Sequence, residues 1–185
     1  MRPGFVCRVI AAGCLLGGPV APAAVPAMPM GFGDICLGGS IDALTRTLDL
    51  RDIDSALAEL KGGTGKPDLG ARGYGCSRRD DAYADITCVS HDEHPEGLQL
   101  REIRLQFRRG LLRQLSITAE LRESGALRRV LERRLGRPMK SPDAAAEWRD
   151  SSSRVQLHEG PNLVFVVFDR DPAAAEQAVE CGSAR

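Results

Sequence analysis

Between Arg101 and Leu121 the chain reads REIRLQFRRGLLRQLSITAEL, with apolar residues at alternate positions of two runs, broken once at Arg113. Ile103, Leu105 and Phe107 occupy the first run, and Leu111, Leu115, Ile117 and Ala119 the second. A period of two marks a half-buried strand, because successive side chains point to opposite faces. The two strands predict a hairpin, and its turn decides whether both apolar rows reach one core. A two-residue turn at Arg109-Gly110 pairs Phe107 with Leu112 and sets the rows on opposite faces. A three-residue loop, Arg108-Arg109-Gly110, pairs Phe107 with Leu111 and Ile103 with Leu115, so both rows meet the core. The longer loop is therefore expected, with Gly110 left-handed beside a G1 bulge. It leaves Arg113 on the inner face, from which its head must reach past the sheet edge.

The period then lengthens. In SGALRRVLERRLG the residues Leu127, Val130, Leu131 and Leu135 share one helical face, Ser124 is placed to cap it, Gly136 to stop it, and Pro138 lies just beyond. Arg134 falls inside the apolar arc, so its stem is expected to lie buried with its head reaching out. AAEWRD, RVQLHE and the almost wholly apolar LVFVVFDR follow as three strands. Earlier, GFGDICLGG reads as a strand and turn. Ser40 caps a short helix bearing Ile41, Leu44 and Leu48, and a second helical stretch starts near Asp52. A loose helix is expected in PAAAEQAVE near the end. The expected class is α+β: an antiparallel sheet with a packed helix, in the order ββ-α-βββ, preceded by a small strand-helix-helix segment.

Arg2 and Arg8 precede the apolar run VIAAGCLLGG and then PVAPAAVPA, with no acid before Asp34. This order predicts a secretory signal peptide over residues 1–27, with cleavage after Ala27 favoured over Ala23. The apolar run is far shorter than the roughly 20 residues of a membrane span. AAGC at Cys14 raises lipidation, but Ala11 stands where leucine is usual and the following residues stay apolar. The expected organisation is thus residues 1–27 as signal, 28–75 as the N-terminal strand-helix segment with a glycine-rich loop, and 76–185 as the stapled sheet and helix. Export to the periplasm or the medium is the expected address.

Compartment governs the cysteines. Of six, Cys7 and Cys14 fall in the signal, which leaves Cys36, Cys76, Cys88 and Cys181. An even four in an oxidising compartment predicts two disulfides. Cys76–Cys88 is favoured, because GYGCSR and AYADITCV flank the polar turn RDDAYAD, and Cys36–Cys181 then ties the two ends together. The alternative is a metal site of Cys76, Cys88, His91 and His94. Structural zinc sites bring closely spaced cysteines, whereas eleven residues separate these two and SHDEHPEG reads as a loop. A metal-binding protein or metal-dependent enzyme built on His91 and His94 stays as the second functional reading.

FRRGLLRQL, a helix ending LERRLGRP, then EWRD and two strands resemble a pattern in small exported bacterial proteins of unknown function: an F-x-x-G-x-L hairpin, helix, LGxP and Trp. The LGRP…W portion is also similar to the domain of outer-membrane assembly lipoproteins of the small-protein-A type, from which this chain departs by lacking their lipobox. The resemblance covers roughly residues 100–169. It implies a helix on an antiparallel sheet and carries over no catalytic residue.

No chemistry-bearing motif follows. GTGK lacks the P-loop spacing, and Pro67 follows its lysine. Asp80, Asp81 and Asp85 sit in a turn, Ser151–Ser153 in a hairpin loop, His158 on the outer side of a strand, and Trp148 in packing. C-x-x-C is absent. A non-catalytic binding or envelope-associated module without cofactor is the expectation. Charge supplies one candidate surface. The chain holds 25 basic and 25 acidic residues, yet residues 101–137 carry eleven arginines against four glutamates. Arg104, Arg108 and Arg109 of the hairpin and Arg128, Arg129 and Arg133 of the helix are the candidate anion-binding set. Their expected partner is an anionic envelope component or an acidic protein, not nucleic acid, which is scarce in that compartment.

Overall fold

The computed structural model describes residues 30–51, 73–79, 82–91, 93–140 and 144–171. The expected signal segment, the helix expected from Asp52, most of the glycine-rich loop, Asp80, Asp81, Cys181 and the helix expected in PAAAEQAVE lie outside them. Among the described residues, strands β1 (Gly31–Phe32) and β2 (Ile35–Cys36) form a small hairpin, followed by helix α1 (Ile41–Thr47) and β3 (Leu50–Arg51). Then come β4 (Tyr74–Arg78), β5 (Ile86–His91), β6 (Leu100–Arg108), β7 (Leu111–Glu120), helix α2 (Ser124–Leu135), β8 (Ala146–Arg149), β9 (Ser153–Glu159) and β10 (Leu163–Arg170). From β6 onward this is the expected ββ-α-βββ order. An eight-stranded sheet runs β3-β4-β5-β6-β7-β10-β9-β8, antiparallel except for the short β3–β4 pairing. The boundary expected between residues 75 and 76 falls inside β4, and β3 belongs to the same sheet.

Register shows why one face is buried. Cys76, Cys88, Leu105, Leu115, Phe168, Val155 and Trp148 stand opposite one another in a single row across the strands. Ser90, Ile103, Ile117, Val166, Leu157 and Ala146 form the next row. All are buried. Helix α2 covers this inner face with Leu127, Val130 and Leu131, and α1 adds Ile41 and Leu44. Each such apolar side chain contributes roughly 1.5–3 kcal/mol on burial. Phe32 of the N-terminal hairpin meets Phe168 edge to face at 6.4 Å between ring centres. That hairpin closes tightly because Gly31 lacks a Cβ, which would stand 2.1 Å from the Ile35 carbonyl oxygen.

Local signals hold at several points. Ser40 Oγ accepts from the Ala43 N–H at 3.1 Å, as an N-cap should. Arg134 lies against the molecule, donating to the Gly33 carbonyl at 3.0 Å and pairing with Glu96 at 2.7 Å. The Trp148 indole N–H donates to the Gly136 carbonyl at 2.8 Å, tying edge strand β8 to the end of α2. Ser124 is a correction. It is the first helical residue and not the cap, and its hydroxyl bonds the Glu159 carboxylate.

The β6–β7 turn is a second correction. Phe107 pairs with Leu112 and Arg108 with Leu111, so the turn is the two-residue Arg109-Gly110. Both residues have positive φ, 51° and 75°, which matches the right-handed strand twist. The facing conflict is resolved by a bulge: Gln106 pairs with Gln114, which leaves Arg113 as an extra residue. Leu112 then joins the inner row at 0 % exposure and Leu111 stays partly exposed. Arg113, which the three-residue loop set on the inner face, is released from it.

Candidate functional site

The outer face of the sheet mixes apolar Val89, Phe165 and Val167 with a polar row near one end. Gln106, Gln114, Asp169, Arg154 and Arg149 form one cross-strand row on it, drawn from β6, β7, β10, β9 and β8. Beside this row a cleft of about 440 Å³ opens at the sheet end, lined also by Arg113, Tyr83, Arg170 and the Ser151–Ser153 turn. Its volume lies within the roughly 300–1,000 Å³ typical of small-ligand sites.

Each wall has a physical cause. The β8–β9 turn is fixed by Asp150, whose carboxylate accepts from the Ser152 N–H at 2.7 Å, the Ser152 hydroxyl at 3.1 Å and the Ser153 N–H at 2.7 Å. This is the short side-chain-to-backbone bonding that Asp favours in turns. The Gln114 amide donates to Asp169 at 2.6 Å, which orients both side chains. Arg154 faces the other oxygen of Asp169 at 3.8 Å, and Arg149 pairs with Glu147 at 3.1 Å. Arg170 ends β10 at 7 % exposure. Burial draws its guanidinium below the usual arginine value while Asp150 opposes the shift, and it stays protonated. Arg113, brought to the cleft by the bulge, makes no hydrogen bond or ion pair among the described residues. Next to Gln106 on the same face, the hydroxyl of Thr87 is buried without a partner among the described residues.

One of the two expected disulfides lies among the described residues. Cys76 and Cys88 are joined, directly opposite on β4 and β5 with Cα atoms 4.0 Å apart and both side chains buried. Cys36 is also disulfide-bonded, while Cys181 lies outside the described residues. A disulfide leaves Cys76 and Cys88 no thiolate to give a metal. His91, at the end of β5, and His94, before a 3-10 turn, are exposed, and no metal-holding group of three His, Cys, Asp or Glu occurs among the described residues.

The candidate arginines do not assemble into one face. Arg108 and Arg109 are at the hairpin tip, with Arg108 donating to the Ala82 carbonyl at 2.7 Å and the Arg109 N–H to Asp85 at 2.5 Å. Arg104 points from the outer face and pairs with Glu102 at 2.8 Å. Arg128, Arg129 and Arg133 ride on α2, which covers the opposite face, with Arg128 on Glu132 at 2.9 Å and Arg133 near Glu96 at 3.9 Å. The sheet separates the two groups, because side chains at alternating strand positions point apart. His158 lies on the outer face opposite Phe165, as alternation predicts, and Trp148 is buried in the sheet edge.

The cleft is what sequence reasoning missed. Its row depends on pairings between residues up to 55 apart, such as Gln114 with Asp169, which no local period encodes. The misfit of Arg113 was the one readable signal. No helix among the described residues is long and apolar enough to cross a membrane. No protein-family model, curated protein or solved structure matches the chain.

Proposed function

We propose that this chain is an exported, disulfide-stapled binding module of the periplasm or extracellular space, working by non-covalent contact and without a cofactor. The observation that carries the reading is the Cys76–Cys88 disulfide inside the core row. Such a bond persists in oxidising compartments and is reduced in most cytosols. The basic, then apolar, then small-residue order of residues 1–27 supports the same address, as does the likeness of residues 100–169 to small exported bacterial proteins. An anionic envelope component or acidic protein is the partner class supported by the arginine excess of residues 101–137. It meets two separate arginine groups, of which the hairpin group Arg104, Arg108 and Arg109 is the proposed contact.

Expression of the full chain in a bacterium, followed by fractionation, thiol trapping and N-terminal sequencing, tests the address. The expected product is periplasmic or secreted, begins at Met28, and yields a Cys76–Cys88 peptide under non-reducing conditions. A full-length cytoplasmic product with free thiols at both positions overturns the proposal.

A further inference from the structure

We propose that the cleft beside the β7 bulge binds a small polar carboxylate, with Arg113 as the residue that pairs its charge. The first ground is the alternation itself. Without Arg113, the run Leu112, Gln114, Leu115, Ser116, Ile117 alternates inward and outward unbroken, and its partners Phe107, Gln106, Leu105, Arg104 and Ile103 are already in register. The alternation of the core row does not use the extra residue. Bulges recur beside functional sites because they re-aim one side chain, and here the re-aimed side chain is an arginine lining a cleft.

The second ground is charge. Arg149 has Glu147, Arg154 has Asp169 and Arg170 has Asp150, whereas Arg113 has no carboxylate partner among the described residues. A planar guanidinium holds a carboxylate through two parallel N–H···O bonds, so Arg113 can take a ligand carboxylate with no carboxylate of the described residues to displace. Asp150, Asp169 and Asp171 line the same cleft and repel a dianion more strongly than a monoanion. That selects a carboxylate over a phosphate dianion. The amides of Gln106 and Gln114 add donors and acceptors for hydroxyl or amide groups next to it.

The inference deepens the binding-module reading but is independent of compartment, so it is tested on purified, disulfide-intact protein. Gluconate, glutamate and lactate are titrated separately above the second ionisation of phosphate, with sorbitol as a neutral control and inorganic phosphate as a dianion, and binding is followed by NMR. At least one carboxylate is expected to shift the Arg113 Nε–H and the Gln106 and Gln114 amides saturably, while sorbitol and phosphate do not. Arg113→Gln is expected to weaken that binding about tenfold or more, the scale of one charge-assisted contact. Deletion of Arg113 is expected to do the same with the remaining spectrum preserved, and Arg129→Gln, on the helix side, to leave it unchanged. Absence of a saturable shift with all three carboxylates, unchanged affinity in Arg113→Gln, or equal binding of sorbitol or phosphate overturns the proposal. Failure of export overturns only the address.

Discussion

Replacing Cys76 and Cys88 together with alanine is expected to lower the unfolding free energy by about 4 kcal/mol. The two cysteines are 12 residues apart, and the chain-entropy relation for a loop of that length gives about 3 kcal/mol at 25 °C. Both side chains have 0 % exposure and lie in the core row with Leu105 opposite Cys88, so removing two sulfurs adds about 1 kcal/mol of lost packing. For a domain of roughly 150–250 residues this corresponds to roughly 8–16 °C in Tm. The disulfide at Cys36 is untouched by the double substitution, so the loss reports on the β4–β5 staple alone. Guanidinium unfolding followed by fluorescence is suited to the measurement, because Trp148 is the single tryptophan and is buried at 3 % exposure. A loss below about 1 kcal/mol refutes the reasoning. It would mean that the unfolded chain already holds the two strands together, leaving the cross-link no entropy to remove.

Two further outcomes follow from backbone strain and from burial. Arg109 has φ 51° in a two-residue turn, a conformation asparagine adopts more readily than arginine. Arg109→Asn is therefore expected to raise the midpoint of guanidinium unfolding by the equivalent of about 0.5–1 kcal/mol, and no rise would show that the turn is unstrained. Burial pushes the Tyr74 phenol well above its usual range, with the Glu93 charge adding to the shift. A raised folded value means that the stability Tyr74 contributes is fully present below pH about 10, the unfolded value, and is lost above it by at most about 1.4 kcal/mol per pH unit. Denaturant midpoints between pH 9 and 11 check this, with Tyr74→Phe expected to flatten the decline.

What was legible in the sequence is what depends on neighbours within a few residues. Ser40 caps α1 because Ala43 is three positions away, and Leu127, Val130 and Leu131 turn inward together because a helix returns to one face. Cys76 and Cys88 meet because one hairpin brings them together. Ser124 shows where the local rule fails. A serine before an apolar helical run is a standard cap, but Glu159, 35 residues on, takes its hydroxyl, and the 3-10 turn Leu121–Glu123 leads the chain into the helix instead. The parallel pairing of β3 with β4 and the placing of β10 between β7 and β9 are likewise long-range choices. So is the polar row that floors the cleft. Each member reads as an ordinary outward residue of its own strand, and only the register assembles them.

Arg113 stands between these two kinds of information. A run of alternating positions that needs a polar residue on its inner face is internally inconsistent, and such inconsistencies in natural sequences concentrate where function overrides local rules. One competing account is purely structural: the bulge sharpens the local twist so that Gly38–Ile41 can pair with the start of β7, where the Leu112 N–H donates to the Gly39 carbonyl at 2.9 Å. Deletion of Arg113 separates the two accounts through stability alone. If the residue serves the cleft, the shortened β7 alternates without a break, every inner-row leucine and isoleucine keeps its partner, and unfolding free energy changes by less than about 1 kcal/mol, the cost of a tolerated surface change. If the twist is what the fold requires, the Gly38–Ile41 pairing is lost with its backbone hydrogen bonds, at about 1 kcal/mol each, together with the burial of Ile41 and Leu44. A loss above about 3 kcal/mol in guanidinium unfolding would then assign the bulge to the fold and remove the main reason for reading Arg113 as a ligand contact.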